Sequence, residues 1–229
     1  MSTGYEQFCP VAKASELLTR RWTPLVVREL ICGSHRFNDI RRGVPRMSPS
    51  LLTQRLAELE ALGVVERRKA SDGDHMEYHL TAAGQELEPI IVQMGVWGRR
   101  WLQRQISRED LDAGLLMWDM RRRLKPEQLP AERVVVHFEF TDAPEEMREF
   151  WLVLDGGEVD LCQRDPGYPV DLDVESDVMT LTRVWMGEFR YGDALADESL
   201  RVRGPTRLRR AFPDWLGLSI FAQVELPAR

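Results

Sequence analysis

No stretch of this 229-residue chain approaches the ~20 consecutive apolar residues that span a bilayer. Its opening, MSTGYEQFCPVAKAS, lacks the basic and apolar regions of a secretory signal, so a cytoplasmic protein is expected, with no membrane partner. Cysteine is scarce. Cys9, Cys32 and Cys162 are odd in number and scattered, which excludes a disulfide framework and fits a reducing compartment. Histidine is also rare. His75 and His79 lie four apart on a segment with strand periodicity, ~13 Å from one another and too far to share a metal, while His35 and His137 have no neighbouring ligand set. G-x-x-x-x-G-K-[ST], G-x-G-x-x-G and G-x-S-x-G are missing. The acidic residues of the second half are evenly spread, with no pair that stands out as a catalytic dyad. These absences argue against an enzyme and predict no cofactor and no metal site.

What is present is a chain able to fold. Hydrophobic residues make up 43%, enough for packed cores. The net charge of −6 speaks against nucleic acid until the chain is divided. Residues 1–104 hold 15 Lys+Arg against 12 Asp+Glu, a net of +3, and the remainder holds 16 against 25, a net of −9. Phosphate contact depends on the local field, so the first half stays open to a nucleic-acid partner.

The first half reads as helices followed by a hairpin. Apolar positions at Val11, Ala14, Leu17 and Leu18 have helical spacing. Thr23 can N-cap a second helix with Pro24 at its first turn, carrying Leu25, Val26 and Leu30 and ended by Gly33; Cys32, which follows this apolar run, is expected in the core. A short helix covers Phe37 to Arg41, broken by Gly43 and Pro45. The best-punctuated helix then follows, with Ser48 as N-cap, Pro49 at the first position and Gly63 at the end. Its Leu52, Leu56, Leu59 and Leu62 form one stripe expected to be buried. That leaves Pro49, Ser50, Thr53, Gln54, Ala57 and Glu58 outward, while Arg55 sits nearer the stripe, where it could equally brace the domain. Two period-two segments, 64–69 and 75–80, flank the turn signal Asp72-Gly73. Alternation puts Arg67 and Lys69 on one side of the hairpin and Arg68 on the other. A longer helix from about Gln85 to Gln105 carries Leu87, Ile90, Ile91, Met94, Trp97 and Trp101.

Three helices, a capped fourth and a hairpin are the element order of a winged helix-turn-helix. Ser48, Pro49, Ser50, Thr53 and Gln54 on the capped helix can meet base edges or phosphate, and Arg46, Arg67, Arg68 and Lys69 can meet phosphate. A solvated surface helix and strand would show the same residues.

The run from Cys9-Pro10 through RWTPLVVREL, RFNDIRRGVPRMSPSLLTQRLAELEALGVVER and YHLTAAGQEL to Trp97 resembles the HxlR-type regulators, a branch of the MarR-like winged helices. The resemblance implies a homodimer, joined by the first and last helices of the domain, that binds a palindromic double-stranded DNA operator, usually as a repressor. It implies a recognition helix in the major groove and a wing near the minor groove. Asp72 and Asp74 at the wing tip depart from the pattern, because phosphate repels them. Cys9 matches the position of a redox or electrophile sensor in some such proteins. It reads as well as a small apolar residue at the dimer interface.

Beyond a boundary at 107–112, a helix is expected from about Asp110 to Leu124, with Leu111, Leu115, Trp118 and Arg122 along one side. Four strands (RVVVHFEF, REFWLVL, VDLCQ, PVDLDV), a helix over 177–187, a strand over 199–204 and a helix from Pro205 follow. The succession PVDLDVESDVMTLTRVWMGE, ALADESLRVRG and TRLRRAFPDWL resembles the sterol carrier protein-type fold. The resemblance implies an apolar cavity for a small apolar ligand, with Phe138, Phe140, Trp151, Val153, Leu181, Val184, Trp185 and Phe212 as lining; these aromatics could equally fill a core. The expected fold is therefore α+β, with a winged helix-turn-helix domain over 1–106 and a sterol carrier protein-like domain over 107–229. The alternatives are a thiol sensor acting through Cys9 and a lipid-carrier module with an accessory DNA-binding domain.

Overall fold

A computed structural model describes residues 4–71, 73, 75–102 and 106–226. The chain divides into two compact units, Met1–Gly95 and Val96–Arg229. Among the described residues no helix is long and apolar enough to cross a membrane.

The first unit holds α1 (Pro10–Leu18), α2 (Thr23–Ile31), α3 (Phe37–Gly43), α4 (Pro49–Ala61), the hairpin β1 (Val65–Lys69) and β2 (Met76–Leu80), α5 (Ala82–Gln85) and the start of α6 (Glu88–Trp101). Its core is Val26, Val27, Leu30, Ile40, Val44, Met47, Leu52, Leu56, Leu59, Val64, Val65 and Ile91. Beneath α3 lies a charge taken out of water. Glu29 is fully buried, accepts from Arg28 Nη2 at 2.7 Å and from Ser34 Oγ at 3.2 Å, and the same Arg28 reaches the Gly43 carbonyl at 3.0 Å. A buried carboxylate is tolerable only when paired and hydrogen-bonded in this way. A Cβ at Gly43 would stand 1.8 Å from the Glu29 carboxyl carbon, so this close approach requires glycine.

Several expectations are corrected here. Thr23 is the first residue of α2 and not its cap; Trp22 holds the cap position with φ +77°, and the buried Thr23 hydroxyl has no hydrogen-bond partner among the described residues. Cys32 is exposed, because it follows the last turn of α2 and points off its core face. Leu62 is 59% exposed, since it caps α4 and leaves the leucine stripe. The long helix begins as α5, stops, and restarts as α6. Pro89 has no N–H to give the carbonyl of Gln85, which breaks the helical ladder there. The end expected at Gln105 lies outside the described residues.

The second unit contains α7 (Ala113–Arg123), β3 (Val134–Phe140), β4 (Glu149–Asp155), β5 (Glu158–Cys162), β6 (Leu172–Ser176), α8 (Val178–Trp185), α9 (Tyr191–Ala196), β7 (Leu200–Arg203) and α10 (Thr206–Trp215). The sheet order is β5-β4-β3-β6-β7, with β3 and β6 parallel and the other neighbours antiparallel. One face packs Val136, Phe138, Phe140, Phe150 and Leu152 against Met117 of α7, Leu181 and Trp185 of α8, and Phe212 and Trp215 of α10. The inward stripe of α7 is Ala113, Leu116, Met117 and Met120; Leu111 precedes the helix and packs partly buried against the same core, and Leu115 is half-buried on α7. Trp118 is buried under the guanidinium groups of Arg121 and Arg122 at 5.1 and 5.3 Å. The short helix α9 was not expected; its YGDALA holds a glycine and too few residues for a helical period to show.

Candidate nucleic-acid interface

α4 is fixed at both ends by local chemistry. The Ser48 hydroxyl accepts the Leu51 amide at 3.3 Å, and Pro49 sits in the first turn, where its missing donor costs nothing. At the other end Gly63 adopts φ +69°, while Gly63 N reaches Glu60 O at 3.0 Å and Val64 N reaches Leu59 O at 2.9 Å. This pair of bonds is a Schellman motif, and it turns the chain directly into β1. Leu52, Leu56 and Leu59 face the core, so helical geometry presents Pro49, Ser50, Thr53, Gln54 and Ala57 to solvent. Arg46 stands between the buried anchors Val44 and Met47 and is likewise exposed.

The polar side chains on α4 are already engaged with one another. Thr53 Oγ1 donates to Pro49 O at 3.0 Å, and the Ser48 and Ser50 hydroxyls lie 3.2 Å apart. Gln54 Nε2 donates to Glu58 Oε1 at 2.9 Å. Glu58 also accepts from Arg20 at 3.1 Å and from Arg55, whose Nε in addition reaches Arg21 O at 3.3 Å. Partial burial pushes the Glu58 carboxyl up, but the hydrogen bonds from Gln54, Arg55 and Arg20 carry it below its ordinary value, so it is charged at neutral pH. The bracing role left open for Arg55 is therefore the one its contacts describe.

The hairpin pairs Arg67 with Tyr78, Arg68 with Glu77 and Lys69 with Met76. Arg67, Arg68 and Lys69 are all exposed. Arg67 lies over the Tyr78 ring at 5.8 Å, and Arg68 pairs with Glu66. Thr81 Oγ1 donates to Gly63 O at 2.6 Å, which ties the end of the hairpin to the exit of α4. Cations and helix therefore belong to one local arrangement. Asp72 and Asp74 lie outside the described residues.

The other candidate residues do not converge. Phe138, Phe140, Leu181, Val184, Trp185 and Phe212 are buried together in the core of the second unit, but Trp151 and Val153 are not among them. Register gives the reason: Phe138 pairs with Phe150 and Val136 with Leu152, so Trp151 and Val153 point to the opposite face, with Val135. The eight residues therefore cannot line one pocket. On that opposite face a cleft of about 350 Å³ is lined by Arg133, Val153, Asp155, Glu158, Asp160, Cys162, Pro166 and Tyr168. Arg133 bonds Asp155 at 2.8 Å and stacks over Tyr168 at 4.4 Å. The sequence reading missed this cleft, because a loop brings Pro166 and Tyr168 to it. Cys9 is half-buried immediately before α1.

Comparison with known proteins places this geometry. The HxlR-like helix-turn-helix family model matches residues 17–106. The uncharacterized HTH-type transcriptional regulator YvaP of Bacillus subtilis (strain 168) is 38% identical over 98 residues, covering 42% of this chain and 91% of that protein. The uncharacterized HTH-type transcriptional regulator sll1512 of Synechocystis sp. is 35% identical over 104 residues, 45% of this chain and 76% of its own length. Among solved structures, the reduced form of the transcriptional regulator YodB from B. subtilis is 29% identical, covering 44% of this chain and all (100%) of that one, with a TM-score of 0.38. The chain belongs to the HxlR-like helix-turn-helix family and is a DNA-binding transcriptional regulator.

Proposed function

We propose that this regulator is a homodimeric repressor that reads a palindromic operator through α4 and touches the flanking phosphates with Arg46, Arg67, Arg68 and Lys69. One observation carries the reading. The face of α4 opposite its buried leucines presents Ser50, Thr53 and Gln54 to solvent beside a hairpin whose Arg67, Arg68 and Lys69 are exposed. Groups that bond base edges carry sequence information, and cations on the hairpin carry affinity. Dimerisation is supported by an apolar row with no cover: Ile90, Met94, Trp97 and Trp101 of α6 are 44–55% exposed at i, i+4, i+7 and i+11. Leu87 and Ile91, which the sequence also suggests for this row, pack on the first unit's own core. Val11 and Phe8, at the start of α1, are 72% and 101% exposed.

The second unit reads as a sterol carrier protein-like module that binds a small molecule and so adjusts operator affinity. The support is a five-stranded sheet with helices packed on one face and a cleft on the other. Mapping the sites that the protein occupies on its own genome tests the whole reading. A two-fold symmetric site with half-sites about 34 Å apart is the expected result. Occupancy without symmetry would overturn the dimeric operator reading.

A further inference from the structure

The cleft on the outer face of the five-stranded sheet is built by a tight turn and a pinned loop. Gly156 and Gly157 take φ +60° and +85°, the pair of positive values that a two-residue hairpin needs to join β4 to β5. That turn sets Asp155 opposite Glu158 and Val153 opposite Asp160. Alternation then puts these four side chains on one face, the one turned away from the helices. Val153 is buried at the floor, and Asp155, Glu158 and Asp160 are exposed around it. The facing wall is Pro166 and Tyr168. Their loop is held in place, since the Gly167 amide donates to Asp165 Oδ1 at 2.8 Å and Asp171 Oδ2 accepts the Val135 amide at 2.8 Å.

The charges in the cleft do not cancel. Like charges directly opposite on paired strands repel, and Asp155 and Glu158 are such a pair. Arg133 answers one of them. Its Nε donates to Asp155 at 2.8 Å while its guanidinium lies over the Tyr168 ring at 4.4 Å. This corner already holds one cation between a carboxylate and a ring face. The Glu158 and Asp160 side chains form no hydrogen bond or ion pair among the described residues. Three carboxylates against one guanidinium leave the lining at −2, within a half of the chain whose net charge is −9. A concave site of one sign concentrates ions of the other. An anion would be repelled here, and a neutral body would take Glu158 and Asp160 out of water with nothing in return. Among the described residues no three His, Cys, Asp or Glu side chains converge so as to hold a metal ion. The complement is therefore an organic cation. A volume of about 350 Å³ suits a single small molecule, not a peptide or a second chain.

We propose that this cleft binds a small organic cation with an apolar body: Glu158 and Asp160 meet its charge, and Val153 and Pro166 carry its body. The inference rests on the reading of the second unit as a small-molecule binder and names the class of molecule. It also moves the binding place from the packed aromatic core to the opposite face of the sheet.

Ligand-observed NMR titration of the full chain with benzyltrimethylammonium, benzyl alcohol and benzoate tests the class. The cation is expected to bind at least about tenfold more tightly than the alcohol, and to weaken as salt is raised from about 0.05 to about 0.5 M. Benzoate is expected not to bind. The double change Glu158→Gln with Asp160→Asn keeps the shape of both side chains and breaks no bond to a described residue. It is expected to lower the affinity for the cation about tenfold and to leave that for the alcohol unchanged. Either single change reports the same loss in part if the double variant does not fold. No saturable binding of the cation up to about 10 mM, or full affinity in the double variant, would overturn the site. If the alcohol binds the cleft as tightly as the cation, the small-molecule reading stands and the charge class is what fails. Operator binding with and without the cation forms the last arm. If the cation binds the cleft and operator affinity does not move, the site stands and the regulatory reading of the second unit fails.

Discussion

Gln54 donates its side-chain amide to Glu58 at 2.9 Å, one helical turn further along α4. The residue proposed to read a base is thus held by a neighbour that is itself fixed by Arg20 and Arg55. Such a bond pre-orients the Gln54 side chain along the helix, and its amide must turn from Glu58 to meet a base. Gln54→Ala is expected to cost about 1–3 kcal/mol at the preferred operator and little on unrelated DNA. Titration of both duplexes by fluorescence anisotropy measures the difference. Unchanged discrimination would mean that α4 presents another face to the groove.

On the proposed reading Arg67 meets phosphate and supplies charge rather than sequence information. Replacing it with alanine should weaken binding to all sequences about equally and lower the salt slope by about one unit per lost contact in each subunit. Affinities at several salt concentrations give that slope. A sequence-selective loss would reassign Arg67 to base contact.

The α6 row gives an assembly prediction. Trp97 is 55% and Met94 47% exposed, so the double change Met94→Glu with Trp97→Glu disturbs little of either unit's core. The wild type should sediment as a dimer at micromolar concentration and the variant as a folded monomer. A wild-type monomer would count decisively against the dimer.

Gly43 makes a stability prediction. Gly43→Ala drives a methyl into the Glu29 carboxylate and disturbs its bonds to Arg28 and Ser34. Overpacking at such a site costs about 1–3 kcal/mol, which thermal unfolding would register as a lower midpoint. Because Arg28 also holds the Gly43 carbonyl, DNA affinity should fall with stability.

Truncation after about residue 106 separates the sensing readings. If the second unit senses a ligand, the shortened chain binds the operator and no longer answers the compound that relieves repression. A retained response moves the sensor into the first half and makes Cys9→Ser the next variant to measure. Circular dichroism must accompany the test, because the buried Arg99 loses Glu188, its partner at 2.6 Å.

The sequence by itself determined what rests on local rules. Ser48-Pro49 and Gly63 set the limits of α4, since a cap, a first-turn proline and a left-handed glycine act within a few residues. The leucine spacing chose its inner face, and alternation gave the hairpin and the sides of Arg67 and Arg68. The tertiary structure alone decided what depends on partners distant in sequence. Period 3.6 on α6 did not say that Ile91 turns inward while Ile90 and Trp97 face water, because that depends on which neighbouring elements cover the helix. Nor could strand alternation within β3 or β4 relate Phe138 to Trp151. Their separation onto opposite faces follows from the pairing of His137 with Trp151, and a one-residue slip of register would have reversed it.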